Sequence, residues 1–274
     1  MIGLLFTVFL GAVGVVQGHD IEAGKIMLEL QKQVLAPVAT SCVEMKIFDE
    51  DDLKRKLLFR RGYFYGPSGD GIKEKIFIDF VYPPELSKMK YFLVEDENGN
   101  REKELLWTSS QRRTRRINNA NQSWMQASDY YFYDLLDHIN EKGWEYFLTD
   151  KKGNIFTIEA KFIGKPKVYE RLIIKVEEIA PGVFVYNEIV FYDKQGDLSK
   201  KERYFDFKHI WDIYYRPNWM IMESLNLDQH SKTELRFRRW QVRPIKEEDG
   251  FVFQDLYLKL EKDFPSQCSE KDFD

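Results

Sequence analysis

Along most of the chain apolar and polar side chains alternate with a period of two. Val43, Met45 and Ile47 alternate with Glu44 and Lys46, and Ile76, Ile78, Phe80 and Tyr82 share a face opposite Phe77, Asp79 and Val81. Met89, Tyr91 and Leu93 follow, alternating with Phe92 and Val94. Between these runs lie Gly66-Pro67-Ser68-Gly69-Asp70-Gly71, Pro83-Pro84 and Asn98-Gly99-Asn100, which are turn sequences. Further on, Phe156, Ile158, Ala160 and Phe162 oppose Thr157, Glu159 and Lys161, and Leu172, Ile174 and Val176 oppose Arg171 and Lys175. Residues 183–192 are apolar on both faces, as in a strand covered twice. Strands are also expected over 198–207, 211–225 and 233–242, with 251–258 a last strand or short helix. About ten strands at meander spacing predict a mainly antiparallel β domain. A sheet of that size with aromatic faces tends to curl.

One stretch before the first strand has helical spacing. Over 20–35, Ile21, Leu28 and Leu35 recur every seven residues with Met27, Leu30 and Val34 beside them. Glu22, Lys25, Glu29 and Lys32 take the other side. Their mixed sign favours packing on a sheet over lying on a membrane.

Residues 111–136, QRRTRRINNANQSWMQASDYYFYDLL, break the alternation. A basic cluster (Arg112, Arg113, Arg115, Arg116) leads through polar residues 118–123 to Trp124-Met125, Ser128-Asp129 and the aromatic run 130–133. The pattern predicts a crossover loop entering a short helix, with Ser128 or Asp129 accepting its first N–H groups. Long ordered loops in compact domains are disproportionately functional. The arginines have three readings: a solvated strand end, a contact for lipid phosphates, or a nucleic-acid contact. Arg115 and Arg116 could also pair with Asp129 or Asp134 and tie the loop down.

Composition narrows the choices. A net charge of −4 on 274 residues disfavours nucleic acid as the partner. The first eighteen residues carry no charged side chain and are mostly apolar, with Val16 and Gly18 before His19. This reads as a cleavable secretion signal over 1–18, with 19–274 as one exported domain; an uncleaved anchor is the other reading. Cys42 and Cys268 could form a single bridge between the chain ends in an oxidising compartment, or remain buried thiols.

No catalytic constellation emerges. The four histidines lack metal-ligand spacing, and neither a G-x-S-x-G elbow nor a P-loop is present. Asp129 and Asp134 are five apart, a poor spacing for a shared helical face. Neither a cofactor nor enzymatic activity is expected. The aromatic content, 15%, permits a large apolar pocket, which suits a hydrocarbon ligand.

Arg113-Thr114-Arg115-Arg116-Ile117 followed by Trp124–Leu135 resembles the outer-membrane lipoprotein-sorting proteins of the LolA-like superfamily. There a basic "R-x-R-R-I" strand end precedes a "sfMGSDFSYEDL" signature. Ser128, Asp129, Asp134 and Leu135 match it, with Met125 one place before its Met and Tyr133 one place after its Tyr; Ala127 replaces the usual Gly, and Phe132 stands where the signature has Tyr. The resemblance implies a half-open β-barrel, a large curved antiparallel sheet whose concave face is plugged by a few helices around an acyl-chain cavity. It implies a periplasmic carrier of lipid or lipoprotein acyl chains, with an inner-membrane exporter as donor, an outer-membrane acceptor and transient membrane contact. Trp107, Trp124, Met125, Tyr130, Phe132, Tyr133 and Leu135 are then candidates for the cavity or its lid, and Arg115, Arg116, Ser128, Asp129 and Asp134 are its polar motif residues. Opening is expected at the plug, residues 125–136. A LolA-like sensor or adaptor that binds an envelope protein without lipid is the alternative.

Overall fold

The alternating segments pair into a single sheet. The computed structural model describes residues 20–34, 38–65, 72–87, 89–96, 101–108, 113–116, 125–135, 143–166, 168–212, 214–225, 231–243 and 268–273. Helix α1 (Ile21–Val34) precedes β1 (Val38–Asp49), β2 (Asp52–Tyr65), β3 (Ile72–Tyr82), β4 (Lys90–Asp96), β5 (Arg101–Thr108) and β6 (Arg113–Arg116). After a crossover come β7 (Trp144–Lys152), β8 (Ile155–Phe162), β9 (Tyr169–Ala180), β10 (Val183–Asp193), β11 (Leu198–Trp211), β12 (Tyr214–Ser224) and β13 (Ser231–Arg243). The 13 strands lie in the order β6-β5-β4-β3-β2-β1-β13-β12-β11-β10-β9-β8-β7, each antiparallel to its neighbours. The sheet is curved, as its size and aromatic faces predicted, and does not close, as the resemblance implied. The expected strand over 251–258 lies outside the described residues.

This order places the crossover. Two meanders meet where β1 pairs with β13, leaving β6 and β7 at opposite edges although they are consecutive in sequence. The chain between them must return from one edge to the other. Its described part, residues 125–135, crosses the inner face of the sheet. Gln126 Nε2 donates to Tyr91 Oη on β4 at 3.0 Å, and Arg55 on β2 donates to the Gln126 carbonyl at 3.3 Å. At its far end this segment reaches β13, β11 and β9.

The inner face is continuously apolar. Val43 and Met45 on β1, Phe59 on β2, Ile78 and Phe80 on β3, Ile158 on β8, Ile174 on β9, Phe191 on β10 and Phe237 on β13 are all buried in one cluster. Tilted and edge-on rings link it: Phe59 to Phe80 at 5.5 Å, Phe80 to Tyr91 at 5.8 Å, and Tyr169 to Phe191 at 4.9 Å.

Helix α1 lies on β7, β10 and β12. Asp20 caps it, accepting from the Glu22 and Ala23 amides, and its second oxygen accepts from Leu148 N on β7. At the other end Gln33 donates to the Gly182 carbonyl at 2.7 Å and accepts from Phe184 N at 2.6 Å, bridging the β9–β10 turn. The packed face is the expected one only in part: Met27 and Leu30 turn inward, Ile21 and Leu28 do not. Ala23, Ile26, Met27 and Leu30 are buried, whereas Ile21 is 72% and Leu28 51% exposed. Ala23, Ile26, Met27 and Leu30 are linked by spacings of three and four, and the stripe they form lies on the side of the helix opposite Ile21 and Leu28. Among the described residues this is the one α-helix, and none is long and apolar enough to cross a membrane.

Cys42, Leu58, Phe64 and Phe77 are also buried but stand apart from the inner cluster. They occupy the outer face of β1–β3, where residues 268–273 return to the sheet.

Candidate functional site

The motif stretch folds around a turn that needs unusual backbone. Gln126 and Ala127 have φ of 55° and 61°, and the loop is closed by Ser128 N to Met125 O at 3.0 Å and Met125 N to Tyr130 O at 2.8 Å. Left-handed backbone costs a β-carbon-bearing residue free energy that glycine does not lose. Ala127 is exposed, so nothing packs in compensation. Ala127→Gly is therefore expected to raise stability by about 0.5–1 kcal/mol, read as a higher urea midpoint. This is the position at which the related signature carries glycine.

From the turn the chain enters a single 3-10 turn, Phe132–Leu135. Neither Ser128 nor Asp129 caps it, contrary to expectation. Ser128 Oγ accepts from Tyr130 N at 3.3 Å within its own turn. Asp129 is drawn to β13, where its carboxylate accepts from the Ser231 hydroxyl and, at 2.6 Å, from Thr233 Oγ1. The cap comes from Asp134, whose Oδ2 accepts from Tyr131 N at 2.6 Å, the backward half of a capping box.

Asp134 is also the centre of a buried charge network. Lys200 Nζ on β11 lies 2.7 Å from its Oδ2 and donates to the Asp129 carbonyl at 2.9 Å. Tyr169 Oη on β9 donates to its other oxygen at 2.6 Å. The Lys200 ammonium lies 3.4 Å from the centre of the Tyr131 ring, and its side chain is 1% exposed. One layer on, Glu202 accepts from Tyr130 Oη at 2.8 Å and Tyr204 Oη at 2.6 Å. Lys200 and Glu202 lie opposite Phe191 and Ile189 of β10 on the core face, so these charges are embedded in hydrocarbon.

Burial sets the proton affinities. It pushes the Glu202 carboxyl up to about 7 against the pull of both phenols. Asp129 is raised because desolvation outweighs the Ser231 and Thr233 bonds. Lys200 is lowered by burial although Asp134 draws it up, and Tyr130, Tyr169 and Tyr204 are pushed well up by burial. Acids and a base are thus in contact, but each is sealed and bonded. The arrangement fixes the crossover to three strands.

Of the residues picked from the sequence, the structure brings together Met125, Ser128, Asp129, Tyr130, Tyr133 and Asp134, all with buried side chains. Trp107 lies on β5, Arg115 and Arg116 on β6, and Phe132 and Leu135 in the 3-10 turn; Trp124 lies outside the described residues. Asp134 takes Lys200 as a cation; the side chains of Arg115 and Arg116 lie outside the described ones. Lys200, Glu202, Tyr169, Ser231 and Thr233 escaped sequence reasoning. A signal for two of them exists: LSKKERYF carries charge on both faces of what becomes an internal strand, so one charged face must turn inward. Among the described residues no group of three His, Cys, Asp or Glu side chains is placed to hold a metal ion.

A family model described as "-like: Uncharacterized protein" matches residues 73–259. The chain belongs to that family. No curated protein matches the chain. Solved structures do. A domain described as an outer membrane lipoprotein-sorting protein, from Vibrio parahaemolyticus, superposes with a TM-score of 0.70 at 18% identity, covering 84% of this chain and 96% of that one. A DUF1329 family protein from Desulfovibrio piger gives 0.73 at 15% identity, covering 87% and 100%. A LolA superfamily protein from Nitrosomonas europaea gives 0.61 at 14%, covering 84% and 97%. At these identities the likeness concerns the fold, which is LolA-like.

Proposed function

We propose that this LolA-like chain, exported to the periplasm behind a leader at 1–18, is a non-enzymatic carrier for lipid or lipoprotein acyl chains. An inner-membrane exporter would act as donor and an outer-membrane acceptor would receive the cargo. The observation that carries the reading is the continuous apolar inner face beneath a helix whose buried contacts are themselves apolar. Hydrocarbon can replace Ala23, Ile26, Met27 and Leu30 with little loss, each buried methylene contributing about 0.8 kcal/mol. The crossover makes a poor gate, because moving it would strip Lys200 and Asp134 of partners that an acyl chain does not supply. We therefore assign opening to α1, with residues 125–135 holding the two flanks of the sheet. Met125, Tyr130 and Tyr133, with Trp107, Trp124, Phe132 and Leu135, would form the wall at the crossover. One observation favours an adaptor that binds an envelope protein instead: the chain's own side chains already fill the inner face.

The test is uptake of a fluorescent fatty acid, with native mass spectrometry of protein purified without detergent from its own compartment. Asp20→Ala with Gln33→Ala loosens both polar tethers of α1. Losing about 1.4 kcal/mol raises the opening equilibrium roughly tenfold, and uptake should quicken accordingly. Co-purifying acyl lipid and faster uptake support the carrier. Protein that is empty and excludes the probe even with α1 loosened overturns it in favour of the adaptor.

A further inference from the structure

Residues 268–273 form a strap on the outer face of the sheet, across the seam where its two meanders join. Glu270 reaches Lys56 on β2 at 3.0 Å, and Lys56 is also 3.0 Å from Glu44, buried on β1. Asp272 accepts from Arg239 Nε on β13 at 2.6 Å, and its other oxygen accepts from Ser269 N at 2.8 Å, which folds the strap into a 3-10 turn. Just ahead of these anchors in the chain, Cys268 Sγ donates to the Phe59 carbonyl of β2 at 3.7 Å. Val43, the cross-strand partner of Phe59, is preceded on β1 by Cys42, which lies opposite Arg60 and Arg238. Two ion pairs, on β2 and β13, thus hold one thiol over a strand that carries the other. Cys42 and Cys268 are the two cysteines of the chain, both buried, and they hydrogen bond to each other.

We propose that Cys42 and Cys268 form a disulfide that locks the C-terminal strap across β2, β1 and β13. The oxidant is a small-molecule disulfide such as oxidised glutathione. The Cys268 thiolate attacks one of its sulfurs, giving a mixed disulfide and one glutathione thiolate. Cys42 loses its proton to solvent and attacks the Cys268 sulfur, releasing the second glutathione. The protein thiols lose two electrons and two protons, and the oxidant becomes two thiols. Cys268 is suited to the first step: it is the more exposed of the pair, and the hydrogen bond from Cys42 lowers its proton affinity. Cys42 is pushed up by the same contact and by burial, so it remains a thiol until the first step has turned the Cys268 sulfur into a mixed disulfide and removed that contact.

The full chain is equilibrated in oxidised and reduced glutathione, quenched with an alkylating agent, digested and mapped by mass spectrometry. A Cys42–Cys268 peptide lacking two hydrogens, formed in the monomer, is expected, together with several-fold slower amide exchange over 268–273. Glu270→Gln with Asp272→Asn frees the strap without touching the thiols, and should lower the cross-linked fraction several-fold at the same glutathione ratio. Three results would overturn the proposal: both thiols alkylated at oxidising ratios, glutathione adducts without the internal bridge, or a cross-linked fraction unchanged when the strap is freed.

Discussion

Replacing Lys200 with methionine is expected to lower the unfolding free energy by about 3–5 kcal/mol, the cost of leaving one partner of a buried ion pair alone. Lys200 is nearly fully buried, and its ammonium makes three contacts with the crossover: the Asp134 carboxylate, the Asp129 carbonyl and the Tyr131 ring. Methionine fills the space but leaves Asp134 with the Tyr169 hydroxyl and the Tyr131 amide as donors to a carboxylate far from water. Asp129 loses a nearby opposite charge as well. Removing both charges, with Lys200→Met and Asp134→Asn, should recover a large part of the loss, because the penalty lies in the orphaned charge. Urea unfolding checks this through the midpoint at constant slope. Lys152→Met is the control. Its ion pair with Asp150 is solvent-exposed, and such pairs contribute little. A Lys200 variant no less stable than this control would mean that the network does not hold the crossover.

How far these features could be read in advance depended on whether a short-range pattern existed. Strands with one apolar face were legible: Ile76, Ile78 and Phe80 turn inward together, as do Phe156, Ile158 and Ala160. Strand β6 was not, since Arg-Thr-Arg-Arg, which pairs with β5, has no apolar alternation. The helix was found, and Met27 and Leu30 were placed on its inner face, but Ile21 and Leu28 were wrongly placed beside them. Ile21 and Leu28 are the conspicuous apolar residues, while Ala23, which sits at zero exposure against the sheet, is small enough to overlook. The site divided in the same way. The stretch 125–135 was picked out from its local sequence. Its partners come from β9, β11 and β13, up to 104 residues away, and no local periodicity reports such pairings. Asp129 shows the consequence. Its sequence context favours capping, yet two hydroxyls on β13 outcompete the neighbouring amides.

Stability should also fall as pH rises from about 4.5 to about 7, a direction opposite to that of proteins held together by exposed ion pairs. Glu202 is the source. Its carboxyl titrates near the ordinary 4.5 when unfolded and at about 7 when folded, because burial penalises the anion. Between those values the folded chain holds a proton that the unfolded chain has released. This contribution is complete below 4.5, is lost through the window and is flat above it. At 1.36 kcal/mol per unit, a fully buried group moved this far is worth about 3 kcal/mol. The groups facing Glu202 act in known directions. Tyr130 and Tyr204 donate to the anion and moderate the shift, Asp134 raises it and Lys200 lowers it. Asp129, also raised by burial, contributes with the same sign. Lys200 is lowered from 10.5 by burial, so its own linkage has the opposite sign. Glu202→Gln keeps a carbonyl for one phenol and removes the proton site. Urea midpoints across the window should decline for the parent chain and flatten in the variant, and a carboxyl carbon resonance of Glu202 should titrate near 7. Parallel curves for the two proteins would place the titration elsewhere. A decline that vanishes only in the variant would show that the crossover is held more tightly by a protonated Glu202 than by an ionised one, since the phenols of Tyr130 and Tyr204 recover less than the anion loses on leaving water.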